Sequence, residues 1–366
     1  MKAKPVLLLQ LGLGQVGRAL VRHYLARATA YPNLRYLGLG DRHGLWIVPE
    51  GWNRAALEDA VDFKNYGMPI TRWHPEVLAP EAVPAPDAFS PDLLWRLDEL
   101  GLRRAIIIDA TGPGSGTAPM LALMRREGYD VVLANKAPLA GAQAEYDALC
   151  APAKGRLRWA SALGAPLPLG EMLQRAAHGG DTVQAIVAMC SPALGWIMTA
   201  VGQGRLFSDA VREAGSRGLL PGDIREHLSG QDTARTALLL ARALGRRLEP
   251  GEVHLQPLLP AGFEGAAPGE IWQRLGDLDR FFAERVWLAG ERGHMLHYLA
   301  QIKPDGVTAG LEEVPQSTAL GRLAGDESYF AFYTEHGGER PTQIQGRSAG
   351  PAATAAAVFA DVVSLL

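Results

Sequence analysis

The feature that most constrains this chain is its beginning, where a short apolar run meets a glycine loop and then a helical pattern. Val6–Gln10 is continuous and apolar, as for a parallel strand covered on both faces. Gly12-Leu-Gly14-Gln15-Val16-Gly17 follows, and residues 18–27 carry helical spacing. Glycine makes up 42 of the 366 residues, so G-x-G-x-x-G alone arises easily by chance. Its place between strand and helix gives it meaning. There Gly12 permits a tight turn, Gly14 lets a ligand approach the backbone, and Gly17 lets the helix pack closely on the strand. The N–H groups opening such a helix suit a pyrophosphate, so the segment reads as a dinucleotide-binding element. The same residues, with Lys2 and Lys4 ahead of them, read as a buried first strand rather than a signal peptide.

The following pattern extends this to an α/β domain over 1–150. Residues 34–39, 105–109 and 131–134 read as further buried strands alternating with helices, the signature of a parallel sheet. Residues 46–63 read as loop and helix, and the proline-rich 69–91 as an excursion outside the core. From 151 to 340 strands and helices mix as in an α+β domain, with a strong amphipathic helix at 231–244. An alanine- and valine-rich helix closes the chain within 341–366.

Three strand ends carry the chemistry. Asp41 lies 24 residues after Gly17, where an acid accepts hydrogen bonds from ribose hydroxyls and favours NAD. Arg42 beside it suits a 2′-phosphate and favours NADP, so the choice between the two stays open. Thr111 and Gly112 follow the third strand in a glycine-rich turn that can pass close to a nicotinamide. Lys136 ends the fourth strand; it is one of only six lysines, and it can stabilise a carbonyl oxygen or relay a proton. Asp232 falls in the first turn of the 231–244 helix, where the helix dipole alone accounts for a carboxylate.

A net charge of −3 gives no electrostatic case for nucleic acid or an anionic membrane. No apolar run approaches the roughly 20 residues of a membrane span. Two cysteines are too few for a disulfide framework, and no Cys/His spacing suggests a metal site. These features point to a cytoplasmic protein with a small-molecule substrate.

The order of motifs resembles the homoserine dehydrogenase family, above all the dehydrogenase portion of bifunctional aspartokinase–homoserine dehydrogenases. The resemblance rests on LGLGQVGRAL at the start, VVLANKAPLA at 131–140, LGAPLP at 163–168 and GRLFSDAVREAGSRG at 204–218. It continues through LSGQDTARTALLLARALGRRLE at 228–249 and LQPLLP at 255–260, and closes with IQGRSAGPAATAAAVFADV at 344–362. It implies a Rossmann domain, a catalytic and dimerisation domain, a C-terminal helix returning to the first domain, and a homodimer. It also implies NAD(P)-dependent interconversion of L-homoserine and aspartate semialdehyde. By this resemblance Gly12, Gly14, Gln15 and Val16 hold the pyrophosphate, Thr111 and Lys136 sit by the reacting carbon, and Gly350 approaches the cofactor. Gly164, in the LGAPLP segment, belongs to the substrate side.

Several positions depart from the family pattern. The family places a proton-donating lysine four residues after the helix aspartate; here Asp232 is followed by Thr236, whose hydroxyl is a poor donor at neutral pH. The family's G-Y-T-E-P-D-P-x-D-D-L reads Gly218-Leu-Leu-Pro221-Gly-Asp223-Ile-Arg225-Glu226-His227-Leu228. Pro221 thus replaces the glutamate that receives the substrate's ammonium, and His227 one aspartate. Ala160 stands at the family's cation-binding glutamate, and Trp196 at a tyrosine, from which it can stack on a ring. The expectation is an oxidoreductase whose alcohol or carbonyl substrate is not homoserine. Lys136 or His227 would then move the proton, with Asp232 orienting. The alternatives are a genuine homoserine dehydrogenase with a rearranged acid, where Asp223 or Glu226 receives the ammonium, and a non-catalytic cofactor-binding protein.

Overall fold

The computed structural model describes all residues except 1–4, 75–80, 85–88, 103, 113, 221, 264 and 348–349. The chain divides into two compact units, Met1–Pro166 with Gly350–Leu366, and Leu167–Ala349.

The first unit follows the order β1 (Val6–Leu11), α1 (Gln15–Leu25), β2 (Leu34–Asp41), β3 (Gly44–Ile47), α2 (Arg54–Asn65), β4 (Glu81–Pro84), α3 (Asp92–Glu99), β5 (Ala105–Asp109), α4 (Ala118–Glu127), β6 (Asp130–Leu133), α5 (Gln143–Cys150) and β7 (Leu157–Arg158). Its seven strands lie in the order β4-β3-β2-β1-β5-β6-β7. Strands β2, β1, β5, β6 and β7 run parallel. The order reverses between β1 and β5, and such a switch point opens a crevice beyond the strand ends.

Two expectations are corrected at the far edge. Trp46 and Ile47, read as the start of a loop, belong to a strand, Gly44–Ile47, antiparallel to β2 across a turn at Arg42–His43. The proline-rich excursion contributes β4, antiparallel to β3. Proline is tolerated there because an edge strand has one side without a ladder.

The second unit contains α6 (Leu169–His178), β8 (Val183–Met189), α7 (Pro192–Gly202), α8 (Phe207–Ser216), α9 (Ile224–Leu228), α10 (Gln231–Ala243), β9 (His254–Leu255), α11 (Pro268–Arg274), α12 (Asp279–Glu291), β10 (His294–Lys303), β11 (Gly306–Pro315), β12 (Glu327–Thr334) and β13 (Thr342–Arg347). Its six-stranded sheet has the order β13-β12-β8-β10-β11-β9. Helices α7, α10 and α12 pack on β10. A separate apolar cluster joins Met189, Leu299, Val314, Tyr329 and Ala331 with Leu320 and Leu323. In β10, His297 is fully buried beside the backbone of Leu320 and Gly321, without a well-aligned hydrogen bond.

The unit boundaries differ from those read at 150 and 340. Residues 151–166 belong to the first unit because β7 completes its sheet. Residues 341–349 belong to the second, whose edge is β13. The last helix, α13 (Pro351–Val363), packs on α1. Val358, Phe359 and Val362 join the core of Leu8, Leu20 and Val21. His23 and Tyr31 both meet the Phe359 ring. The buried carboxylate of Asp361 accepts the Ser161 N–H at 3.0 Å.

Candidate functional site

The glycine loop after β1 is shaped by sterics. Gly12 has φ +101°, and a Cβ there would lie 2.2 Å from the Ala110 carbonyl oxygen. A Cβ on Gly17 would lie 2.0 Å from the Gly12 oxygen. Both positions therefore admit glycine alone. Gly14 differs: a Cβ there would meet nothing within 4 Å, so the chain itself leaves this position open. No side chain caps α1 after Gly14, which leaves its first-turn N–H groups, including those of Gln15 and Val16, facing an anion's position.

The loop is held from behind by Gln10, the one polar residue in β1. Its buried amide donates to Gly12 O at 2.9 Å and Gly17 O at 3.0 Å. Its oxygen accepts from Tyr36 Oη at 2.7 Å. Sequence reasoning missed Gln10, although a single amide in an otherwise apolar buried strand is itself a signal, since a buried polar group requires partners.

The turn after β5 is organised by Asp109, fully buried. Its carboxylate accepts the Thr111 N–H at 2.9 Å, Thr111 Oγ1 at 2.5 Å and Thr117 Oγ1 at 2.8 Å. Burial pushes this carboxyl up from its ordinary value, and the hydrogen bonds from Thr111, Thr117 and Asn135 oppose that rise. Asn135 Nδ2 donates to Thr111 Oγ1 at 3.0 Å and Gly112 O at 3.2 Å, which ties the end of β6 to the same turn. Lys136 follows directly, half-buried.

Between these strand ends lies a cavity of about 680 Å³, lined by Gly12, Gly14, Thr111, Gly112 and Ser115 at one part and by Asp41, Arg42, His43, Lys64 and Phe89 at another. Its size suits a cofactor-sized ligand. Arg18 also lines it and donates to Leu13 O at 3.0 Å. The Asp41 carboxylate, expected to meet ribose hydroxyls, is already engaged. It accepts Lys64 Nζ at 2.6 Å, the Ile70 N–H at 2.8 Å and the His43 N–H at 2.8 Å. Lys64 was missed because its partner is 23 residues away and no motif links them.

The remaining predicted residues lie elsewhere. Gly350, φ +107°, precedes α13. Gly164, read as substrate-side, is in the first unit at the end of a 3-10 turn, Ala160–Leu163. Pro221 lies outside the described residues. Asp223 caps α9, accepting the Arg225 N–H at 2.9 Å and pairing with the Arg225 guanidinium at 2.5 Å. Those hydrogen bonds hold its carboxyl below the usual range. His227 is on α9, and Asp232 is in the first turn of α10. Thr236, 2% exposed, donates its hydroxyl to Asp232 O at 3.0 Å. Trp196 does not present a free ring: the Arg217 guanidinium stacks 3.8 Å over it. Among the described residues no group of three His, Cys, Asp or Glu is placed to hold a metal ion. Nor is any described helix long and apolar enough to cross a membrane.

Comparison with known proteins agrees with this geometry. A family model described as homoserine dehydrogenase matches residues 168–363. A bifunctional aspartokinase/homoserine dehydrogenase of Haemophilus influenzae is 31% identical over 71% of this chain, which corresponds to 32% of that enzyme's length. A homoserine dehydrogenase of Paracoccidioides brasiliensis is 25% identical over 100% of this chain and 99% of its own. Among solved structures, a hyperthermophilic archaeal homoserine dehydrogenase in complex with NADPH has a TM-score of 0.73 at 20% identity, covering 98% of this chain and 97% of its own, and shares the fold. With its glycine cradle, its 680 Å³ cavity and the match across most of the second unit, the chain belongs to the homoserine dehydrogenase family, NAD(P)-dependent oxidoreductases acting on a CH–OH group.

Proposed function

We propose that this protein interconverts L-homoserine and L-aspartate 4-semialdehyde. The observation that carries this reading is the family match across 168–363, which spans α9 and α10 and therefore the altered positions Pro221, His227 and Thr236. It supports the activity of the family in preference to the non-homoserine substrate that those positions suggest.

The nicotinamide, when bound, supplies the hydride acceptor or donor. The chain's own residues do the rest. Gly12, Gly14, Gln15, Val16 and Gly17 receive the pyrophosphate, and Thr111 and Gly112 border the nicotinamide half. Lys136 stabilises the developing alkoxide and exchanges its proton. Asp232 and His227 belong to the substrate side. Because Lys64 and two backbone N–H groups already engage Asp41, the cavity end with Arg18, Arg42 and Lys64 favours a 2′-phosphate, and we assign NADP as the preferred cofactor. The protein is a homodimer in this reading. Neither Cys150 nor Cys190 forms a disulfide among the described residues, and in this reading the protein is cytoplasmic.

One observation favours a second reading, a different alcohol or carbonyl substrate. The Thr236 hydroxyl is bonded back to Asp232 O in the buried wall of α10, so nothing at this position replaces the family's lysine chemically. A single assay separates the two. With NADP and L-homoserine, turnover within the ordinary enzyme range of about 1–1,000 s⁻¹ supports the first. That turnover should fall at least 100-fold in Lys136→Ala. NADPH binding without homoserine turnover supports the second.

A further inference from the structure

A second cavity, of about 270 Å³, lies within the second unit, and its lining contains none of Asp223, His227, Asp232 or Thr236. It is just smaller than the roughly 300–1,000 Å³ pockets that take drug-sized molecules, so its size suits a small metabolite. Trp196, Thr199 and Ala200 of α7 line its apolar part.

Its charged groups fall on two sides. On the helical side, Arg205 and Arg217 both pair with the one carboxylate of Glu213, Arg217 at 2.7 Å. Hydrogen bonds from these two arginines hold the Glu213 carboxyl below its ordinary value, so it stays ionised. Two cations share one anion, and this side keeps an excess of positive charge. On the strand side, Asp326 and Glu327 line the cavity at the start of β12, and Arg347 reaches Asp326 at 3.3 Å from the end of β13. Arg347 pairs with Asp326, while Glu327 accepts the neutral Gln345 Nε2 amide at 2.9 Å, so this side keeps an excess of negative charge. The Gly325 N–H donates to Thr199 Oγ1 at 3.1 Å, which ties the two sides together across α7.

We propose that this cavity binds a small α-amino acid at a site separate from that of the proposed reaction. The ligand's carboxylate meets the Arg205 and Arg217 side, its ammonium meets the Asp326 and Glu327 side, and its side chain lies along α7. A simple anion leaves the carboxylate side unanswered, and a simple cation leaves the guanidinium side unanswered. A zwitterion of this size engages both, with charge-assisted hydrogen bonds at each end.

Isothermal titration of the full chain tests this, with L-alanine, L-valine, L-threonine and L-methionine as probes and acetate and n-propylamine as single-charge counterparts. The expected result is one site per chain for at least one amino acid, at least tenfold tighter than either counterpart. Arg205→Gln and Asp326→Asn should each weaken it at least tenfold and leave NADPH titration unchanged. Three results overturn the proposal: no amino acid binds; a counterpart binds as tightly; or both variants bind as the unaltered chain does, which puts the ligand at the reaction site. Binding is read as heat, so an absence of homoserine turnover does not bear on it.

Discussion

The glycine loop after β1 and the 218–236 stretch of the second unit depend on different kinds of constraint. In the loop, backbone contacts decide. Gly12 and Gly17 leave no room for a Cβ, and Gly14 faces open space at the cavity. In the 218–236 stretch, helices α9 and α10 form with Asp223 as a cap and an apolar buried face on α10, while His227 and Thr236 depart from the pattern of the family that the sequence resembles. A scaffold of this second kind tolerates a change of side chain, because Thr236 and His227 meet the helical requirements as well as a lysine or an aspartate. The first region therefore reports what is bound, and the second mainly reports that it folds.

The largest effect expected from breaking this contrast is at Gly12. Gly12→Ala should cost about 3 kcal/mol, from the left-handed backbone and the overlap with Ala110 O, and should abolish NADPH binding. Gly14→Ala should leave the melting temperature unchanged and weaken NADPH alone. Thermal unfolding paired with NADPH fluorescence titration reads both; equal loss of stability in the two variants would remove the distinction between internal and ligand-set glycines.

Next is the cation cluster. Arg42→Ala, at an exposed turn, should weaken NADPH by about tenfold, near 1.4 kcal/mol, and leave NADH unchanged. Lys64→Met should weaken NADPH as well. It should also lower stability by about 3 kcal/mol, because Asp41 stays buried after losing its ion-pair partner. NADH affinity falling in parallel with NADPH in Arg42→Ala argues against a 2′-phosphate role.

A smaller effect concerns acid. Burial holds the His297 imidazole below its ordinary value of 6.5, so the folded state keeps it neutral. Its contribution to stability is whole above about pH 6.5, the unfolded value, and is lost progressively as pH falls towards the folded value. His297→Gln should flatten the stability profile on that acid side, measured by urea unfolding across pH.

The smallest effect is at Thr236. If its hydroxyl does no more than bond back along α10, Thr236→Val should change turnover by less than about twofold, within the spread of a single weak hydrogen bond. A tenfold loss would return Thr236 to the reacting groups.

The sequence made the β1 loop and Thr111, both of which line the cavity, legible because each sits at the end of an apolar strand, a position readable without any tertiary contact. Gln10 and Lys64 escaped because their roles are set by partners distant in the chain, Tyr36 for one and Asp41 for the other. The edges of both sheets escaped for a related reason. β7 is two residues long, and β13 has a largely exposed pattern without an alternating apolar face. Short or solvent-facing strands carry little periodicity, so the unit boundaries they set could not be drawn at 166 and 349. Trp196 was read by its type, while its environment is fixed by Arg217 at the end of another helix.

The packing of α13 on α1 has a consequence for how the protein is made. Val358, Phe359 and Val362 belong to the same core as Leu8, Leu20 and Val21, so the first unit is assembled from both ends of the sequence. During synthesis residues 1–166 emerge before the second unit but stay unfinished until translation has passed Val363. A chain stopped early, even at 349, leaves α1 with an uncovered apolar flank beside the glycine loop. Competence to bind a dinucleotide thus depends on translation having passed α13, and fragments lacking it betray themselves by exposed surface that chaperones and proteases recognise.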